Sequence, residues 1–433
     1  MKRYGNLWEQ VCDRTNIELA ADNALKGKKL TRERQRFIDD RQHLLDELQA
    51  SLVNETYRFS FLKYFTVYEP KERQIHHSPF YPDKILHHCV MNVVKPIILE
   101  KLTVDAYGSI KGRGITMAAD KLKRVLANHP QWYFLQIDCR KFYSSIDHDV
   151  CKNAVRRAIK CPKTLKMLDA IIDVHDQGLA IGVYPSQYLA NLVMAKIDHW
   201  AKEVQHIPYY FRYMDDIVMV LPSKEMAKEV LERITIELEA LKLTVKNNWR
   251  IAPVANGIDF IGYKFYPTHT QLRKRIKQAM QKRVRQLTKQ GVDDATFKRK
   301  LASHFGWCKH GDCRNLLRTT LKDKIYLFEN NMEYKRLSEL RPTENWFGLP
   351  RTPDRLVKLE DLYGVEIVVF DFLKATIRGE EKFVVKFGYM DNPENYKLFI
   401  TRSGVIMDRL ERDKKLMPFV ATFKRYKNYI IYE

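Results

Sequence analysis

The chain has 433 residues, 45% of them apolar, enough for two to four modules with real cores. Lys and Arg number 75 against 53 acidic residues, and this formal net charge of +22, spread along the whole sequence, points to a polyanionic partner. No stretch reaches the roughly 18 uninterrupted apolar residues of a spanning helix, so a membrane is not expected as partner. The start "MKRYGNLWEQ" lacks a signal-peptide apolar core, and seven scattered cysteines suit reduced thiols better than a disulfide framework; both predict a cytoplasmic protein.

Residues 1–55 read as a charged helical segment, with apolar positions of "KKLTRERQRFIDDRQHLLDELQASL" at helical spacing. From Tyr57 to Ile75 aromatic and polar residues alternate around "EPKE", which predicts a strand pair and a turn. "DKILHHCVMNVVKPIILEKL" predicts a helix stopped or kinked near Pro96, and "AYGSIKGRG" a basic, glycine-bearing loop before another helix. Trp132–Ile137 reads as a buried strand ending in Asp138. Helices follow, then the loop "GLAIGVYPSQ" running into a long helix.

Tyr209–Leu221 predicts a hairpin, "SKEMAKEVLERITIELEALKL" an amphipathic helix, and "GIDFIGYKF" a short strand pair. Strands and helices alternate without regular βαβ spacing, so the expectation is α+β with an antiparallel sheet. From Arg273 to about Asn330 the chain is helical and basic. "PTENWFGLPRTP" reads as a linker, and the remainder is β-rich, consistent with a small barrel of the OB type. In that remainder Phe423, Lys424, Arg425, Tyr426 and Tyr429 fit either a surface that stacks on a single strand or one amphipathic strand on a core. Cys308, His310 and Cys313 in "CKHGDC" lack a second ligand pair, so zinc is not expected.

Two adjacent aspartates, Asp215 and Asp216, interrupt the apolar and aromatic hairpin "YYFRYMDDIVMVL". A buried unpaired carboxylate is costly and two neighbours repel, a conflict that a divalent cation resolves; a solvated acidic turn fits these residues equally well. Asp138 ends a second buried strand. Should the strands be neighbours, three carboxylates converge, as two-metal phosphoryl transfer with cations about 4 Å apart requires.

"LQIDCRKFYSSID", "FRYMDDIV", "LKLTVKNN" and "GIDFIGYKF", in this order and spacing, resemble the palm of reverse transcriptases, and the resemblance runs from about Tyr57 to about Leu317. It implies a right-hand polymerase with an antiparallel palm sheet, a helical thumb and a β-rich C-terminal addition. The boundaries it implies are an N-terminal basic helical segment (1–55), fingers and the start of the palm (56–136), palm (137–268), thumb (269–340) and C-terminal domain (350–433). Asp138, Asp215 and Asp216 become metal ligands for Mg²⁺, or Mn²⁺, with the Cys139 carbonyl as a further oxygen. Tyr143 matches the steric gate under the sugar of a dNTP, and Lys71 and Arg73 match the basic fingers hairpin over the triphosphate.

By the same resemblance Lys246 is a general acid for the leaving pyrophosphate. Gly257, Phe260, Gly262 and Tyr263 belong to the primer grip, and Arg273, Lys274, Lys277 and Arg283 begin rows that track duplex phosphates. Ile181 precedes Gly182 where retroviral and group II intron enzymes usually carry glutamine, and Ser186-Gln187 follows. This pattern resembles diversity-generating retroelement enzymes and the related, partly antiviral, bacterial "unknown group". It implies copying of a cognate structured RNA into cDNA, error-prone at template adenines, in a bacterial or phage cytoplasm. Implied partners are an RNA template and the cDNA/RNA duplex, a dedicated noncoding or template-repeat RNA, and a small basic accessory protein. Antiviral cDNA synthesis and a non-catalytic RNA-binding scaffold are the alternatives.

Overall fold

The computed structural model describes residues 2–68 and 72–325, Leu327, and five strand segments between 366 and 432. Lys71 and the linker sequence "PTENWFGLPRTP" lie outside the described residues, as do the side chains of Phe423, Lys424, Arg425, Tyr426 and Tyr429. Two units are distinguished, Met1–Ala279 with Gly306–Cys313, and Met280–Phe305 with Arg314–Glu433.

The first unit begins with four helices, α1 (Trp8–Cys12), α2 (Arg14–Leu25), α3 (Arg32–Asp39) and α4 (Arg41–Val53). The side chains of Asp13 and Thr31 accept from the backbone N–H groups of Asn16 and Arg34, so α2 and α3 start where the sequence offers a cap. The hairpin of β1 (Lys63–Val67) and β2 (Arg73–His77) follows, and then α5 (Ile85–Glu100). Helix α5 continues through Pro96, so of the stop or kink expected there the stop does not occur. Burial of Val94, Ile97 and Ile98 outweighs the hydrogen bond that proline removes.

Helix α6 (Ile115–Asn128) leads into β3 (Tyr133–Asp138), followed by α7 (Phe142–Ser145), α8 (His148–Ala158), α9 (Pro162–Asp173) and α10 (Ser186–His199). Then come β4 (Tyr209–Tyr213), β5 (Asp216–Leu221), α11 (Lys224–Glu239) and β6 (Arg250–Pro253). The four strands form one antiparallel sheet in the order β4-β5-β3-β6. Alternation gives it two apolar faces. Leu135, Ile137, Ile217 and Met219 join a core with α5, α8, α9, α10 and α11; Phe134, Val218 and Val220 join another with α6 and the strands that follow.

Those strands, β7 (Ile258–Phe260), β8 (Tyr263–Phe265) and β9 (Thr270–Leu272), make a small antiparallel sheet. Only β9 lacks a sequence signal, being three residues of which two are polar. Helices α12 (Lys274–Lys289), α13 (Asp294–Cys308) and α14 (Arg314–Leu321) come next in the chain. Among the described residues no helix is long and apolar enough to cross a membrane. The whole is α+β with antiparallel sheets.

In the second unit β10 (Glu366–Ile377), β11 (Glu380–Tyr389), β12 (Asn392–Thr401), β13 (Phe419–Tyr426) and β14 (Tyr429–Tyr432) form a sheet in the order β12-β11-β10-β13-β14. Three strands meander and the fourth returns beside the first, the Greek-key order. Val385 and Phe387, two residues apart on one face of β11, are fully buried. Among the described strands no pairing joins β12 to β14.

Candidate active site

Strand register brings the three aspartates together. Asp138, the last residue of β3, is the cross-strand partner of Asp216, the first of β5. Tyr213 also pairs with Asp216, so Met214 and Asp215 alone make the hairpin turn. Met214 has φ of 58°, left-handed, at a turn position where glycine or asparagine is usual. Gly108 makes room for it: a Cβ there would stand 2.8 Å from the Met214 backbone nitrogen.

The acids are short of positive charge. Burial first, then the hydrogen bond and charge of Asp138, push the Asp215 carboxyl up to about 6. Burial also leads for Asp216, which is pushed up to about 7, although a hydrogen bond from Gln136 Nε2 to its Oδ1 (3.1 Å) works the other way. Asp138 Oδ1 is buried without a hydrogen-bond partner, while Oδ2 accepts from Lys246 Nζ. The Lys246 backbone N–H also donates to the Asp138 carbonyl, at 2.9 Å. Cys139 bridges to Val245 in the same backbone ladder, and its thiol is pushed up to about 12 by burial and then by Asp215 and Asp138.

Among the described residues no three His, Cys, Asp or Glu side chains are arranged to hold an ion as they stand. Asp138 is turned to Lys246, and Asp216 to Gln136. The donor set nevertheless fits a divalent cation: one orphaned buried carboxylate oxygen and two carboxyls raised by burial and by their neighbours are what such an ion relieves.

Tyr143 stands next to these acids, in α7. Its phenol is raised by burial and then by the charge of Asp215. The backbone around it is tightly built. Leu179 N–H donates to the Tyr143 carbonyl at 2.8 Å, and Gly178, at φ 66°, leaves no space for a Cβ against Tyr143 and Ser144. Two residues on, the Ile181 carbonyl accepts from His76 N–H at 2.7 Å, and Gly182, at φ 103°, lies against the His76 carbonyl. The loop from Gly178 to Gly182 therefore ties β2 to the chain beside the acids. Arg73 is exposed at the start of β2, and Gln187 is half-buried in the first turn of α10.

The segment anticipated as a primer grip is mostly core. Phe260 and Tyr263 are fully buried, and the Tyr263 hydroxyl donates to the Trp307 carbonyl at 2.7 Å. Gly257 and Gly262 have φ of 77° and 92°, with Gly262 pressed on the Trp307 ring. Phe260 and Tyr263 are cross-strand partners, which puts the two rings on one inward face. Arg273 is likewise not a free cation on a helix row. Its Nε bonds Asp259 Oδ1 and its backbone N–H donates to the Gly262 carbonyl at 3.0 Å. Lys274 and Lys277 are exposed, whereas Arg283 is half-buried and donates to Gln286 Oε1 at 2.8 Å.

Four residues that sequence reasoning passed over hold this site together: Gln136, Asn191, Asp198 and Arg212. Arg212 had a signal, a charge in a strand where alternation puts it on the same side as Tyr210. The other three are ordinary polar residues until β3 and α10 are placed.

The family of reverse transcriptases (RNA-dependent DNA polymerases) matches residues 70–265, the stretch that holds all three aspartates. This part of the chain is a reverse transcriptase domain, the domain of an RNA-directed DNA polymerase, and such domains use divalent metal ions. Among solved structures, the chain is similar to an apo telomerase from Candida tropicalis truncated from the C-terminal domain, with 14% identity over 50% of this chain and 55% of that one and a TM-score of 0.38. It is also similar to a telomerase from Candida albicans in complex with a TWJ fragment of telomeric RNA, with 12% identity over 68% of this chain and 61% of that one and a TM-score of 0.42. The chain thus spans less than two thirds of either relative. No curated protein matches it in sequence.

Proposed function

We propose that the protein copies a cognate structured RNA into cDNA, adding dNTPs to a primer 3′-hydroxyl. The observation that carries this reading is the meeting of Asp138, Asp215 and Asp216 at one sheet edge, with an orphaned carboxylate oxygen and two raised carboxyls, inside the matched domain. Asp138, Asp215 and Asp216, with the Cys139 carbonyl, would hold Mg²⁺ or Mn²⁺. Bound divalent ions lower the pKa of the attacking hydroxyl and offset the charge of the triphosphate.

The remaining roles belong to the chain's own groups. Tyr143 limits what fits beneath the sugar and so selects dNTPs. Arg73, with Lys71, faces the triphosphate, Lys246 donates a proton to the leaving pyrophosphate, and Gln136 steadies Asp216. Lys274 and Lys277, both exposed, suit contact with duplex phosphates.

Within that activity we assign the chain to the diversity-generating type, on Ile181-Gly182 and Ser186-Gln187. An alkyl group at 181 offers no hydrogen bond to a nascent base pair, so selectivity opposite adenine is reduced, and Ile181→Gln should restore it. The test is purification from cells carrying the native locus, with sequencing of co-purified RNA and attached cDNA beside Asp215→Ala/Asp216→Ala. Complementary DNA of one RNA, made only by the intact protein, supports the polymerase. Errors concentrated at adenines select diversification, and faithful copies select the antiviral type. Bound RNA without cDNA from either protein overturns the reading.

A further inference from the structure

The turn that carries Asp215 is held from the face of the sheet opposite Asp138 and Asp216. Arg212 in β4 is fully buried, and its Nε and Nη2 donate to Asp198 Oδ1 and Oδ2 of α10, each at 2.6 Å. The Tyr210 hydroxyl donates to the same Asp198 Oδ1 at 2.8 Å. The other arm of the guanidinium points elsewhere: Nη1 donates to Asn191 Oδ1 at 2.8 Å and to the Met214 carbonyl at 3.0 Å. Asn191 Nδ2 in turn donates to the Gly108 carbonyl at 3.0 Å, and Gly108 is the residue against which Met214 packs.

A buried ion pair is weak evidence for stability, because desolvation consumes most of the attraction. This one does something besides. Met214 sits at a left-handed φ that an L side chain keeps only where its surroundings over-determine it, and Arg212 and Asn191 supply two of those surroundings. One bond fixes the turn's carbonyl and the other fixes the glycine beneath it. The next residue is Asp215.

We propose that Asn191 and Arg212 are positioning residues: they hold the Met214–Asp215 turn in register with Asp138 and thereby set the affinity of the aspartates for a divalent cation. This rests on the polymerase reading for its purpose but not for its test. Without the bonds to Met214 and Gly108 the turn relaxes from its left-handed conformation, and Asp215 moves away from Asp138.

The experiment is a titration of the full-length protein with Mn²⁺ alone, following the free-ion electron paramagnetic resonance signal, with far-UV circular dichroism and thermal melting on each variant. Asn191→Leu removes both side-chain bonds of Asn191, and Asn191→Asp, which keeps the acceptor to Arg212, stands in where the leucine variant does not fold. Tyr210→Phe is the control, since it takes a hydrogen bond from Asp198 without touching the turn. Loss of a group that orients metal ligands weakens binding by about ten- to a hundredfold. The expected result is a loss in that range for the Asn191 variant and Mn²⁺ affinity within twofold of wild type for Tyr210→Phe, whatever its melting temperature. Equal Mn²⁺ affinity in all proteins overturns the proposal, and so does an equal loss in both variants. Wild-type protein that binds Mn²⁺ but extends no primer refutes the polymerase reading and leaves this comparison decisive for its own question.

Discussion

One hairpin carries charges on both of its sides, and the two sets are treated in opposite ways. On the α10 side, Arg212, Asp198, Tyr210 and Asn191 are buried and joined by hydrogen bonds of 2.6 to 2.8 Å. On the other side Asp138 bonds Lys246 and Asp216 bonds Gln136, with Asp215 in the turn beside them; one oxygen of Asp138 is left without a partner, and the carboxyls of Asp215 and Asp216 are raised toward neutrality. Charges kept for architecture are satisfied within the chain. Charges left without a full set of partners within the chain are the ones proposed to take a metal ion.

The contrast breaks most visibly at the aspartates. Asp215→Asn with Asp216→Asn should slow nucleotide addition by about four orders of magnitude in single-turnover extension, as for a group acting as a unit. The same change should leave the melting temperature equal to or above wild type, because it removes two like charges from a buried place. On the opposite side the sign reverses. Asp198→Asn strands the Arg212 guanidinium, which should cost about 3–5 kcal/mol in urea unfolding, a loss typical of a buried pair deprived of one partner.

Smaller effects sharpen the comparison further out. Gly182→Ala forces a side chain into φ of 103° against the His76 carbonyl, a strain of about 1–3 kcal/mol that should raise the KM for dNTPs. His87, buried in α5 and stacked on Phe59 at 5.3 Å, supplies the acid response of a group outside both clusters. Burial first, then the charges of His88 and Lys84, lower it from 6.5 to about 3, so it is neutral in the fold and protonated sooner in the unfolded chain. At this group the unfolded state therefore binds more protons in this window, and the stability tied to His87 should fall as pH drops from 6.5 toward 3. Asp215 and Asp216, raised in the fold, take up protons there with the opposite effect, so the check compares two proteins: the wild-type urea midpoint should fall relative to that of His87→Leu as pH drops across that range.

Much of this was legible in the residues. The alternation of Tyr133–Asp138 and of Tyr209–Leu221 is strong and the two-residue turn leaves β4 and β5 little freedom of register, whereas the convergence of Asp138 on Asp216 was legible only on condition that β3 and β5 are neighbours. Partnerships that depend on long separations were not legible. Asn191 reaches Gly108 and Gln136 reaches Asp216 across some 80 positions of sequence, and neither residue differs locally from any polar side chain on a helix or strand. The burial of Phe260 and Tyr263 was hidden in the same way. The Tyr263 hydroxyl bonds the Trp307 carbonyl and Gly262 lies on the Trp307 ring, a contact across more than 40 positions that no local pattern announces. Pro96 failed as a stop signal because local cost yields to the burial of a whole helix face.

The role proposed for Asp138, Asp215 and Asp216 is metal-dependent, RNA-directed DNA synthesis. It is tested most directly by extending a labelled DNA primer on a defined RNA template with dNTPs and Mg²⁺, wild type beside Asp215→Asn/Asp216→Asn. Full-length DNA from the wild type and none above background from the variant is the expected result. Extension by both proteins, or by neither, would contradict it.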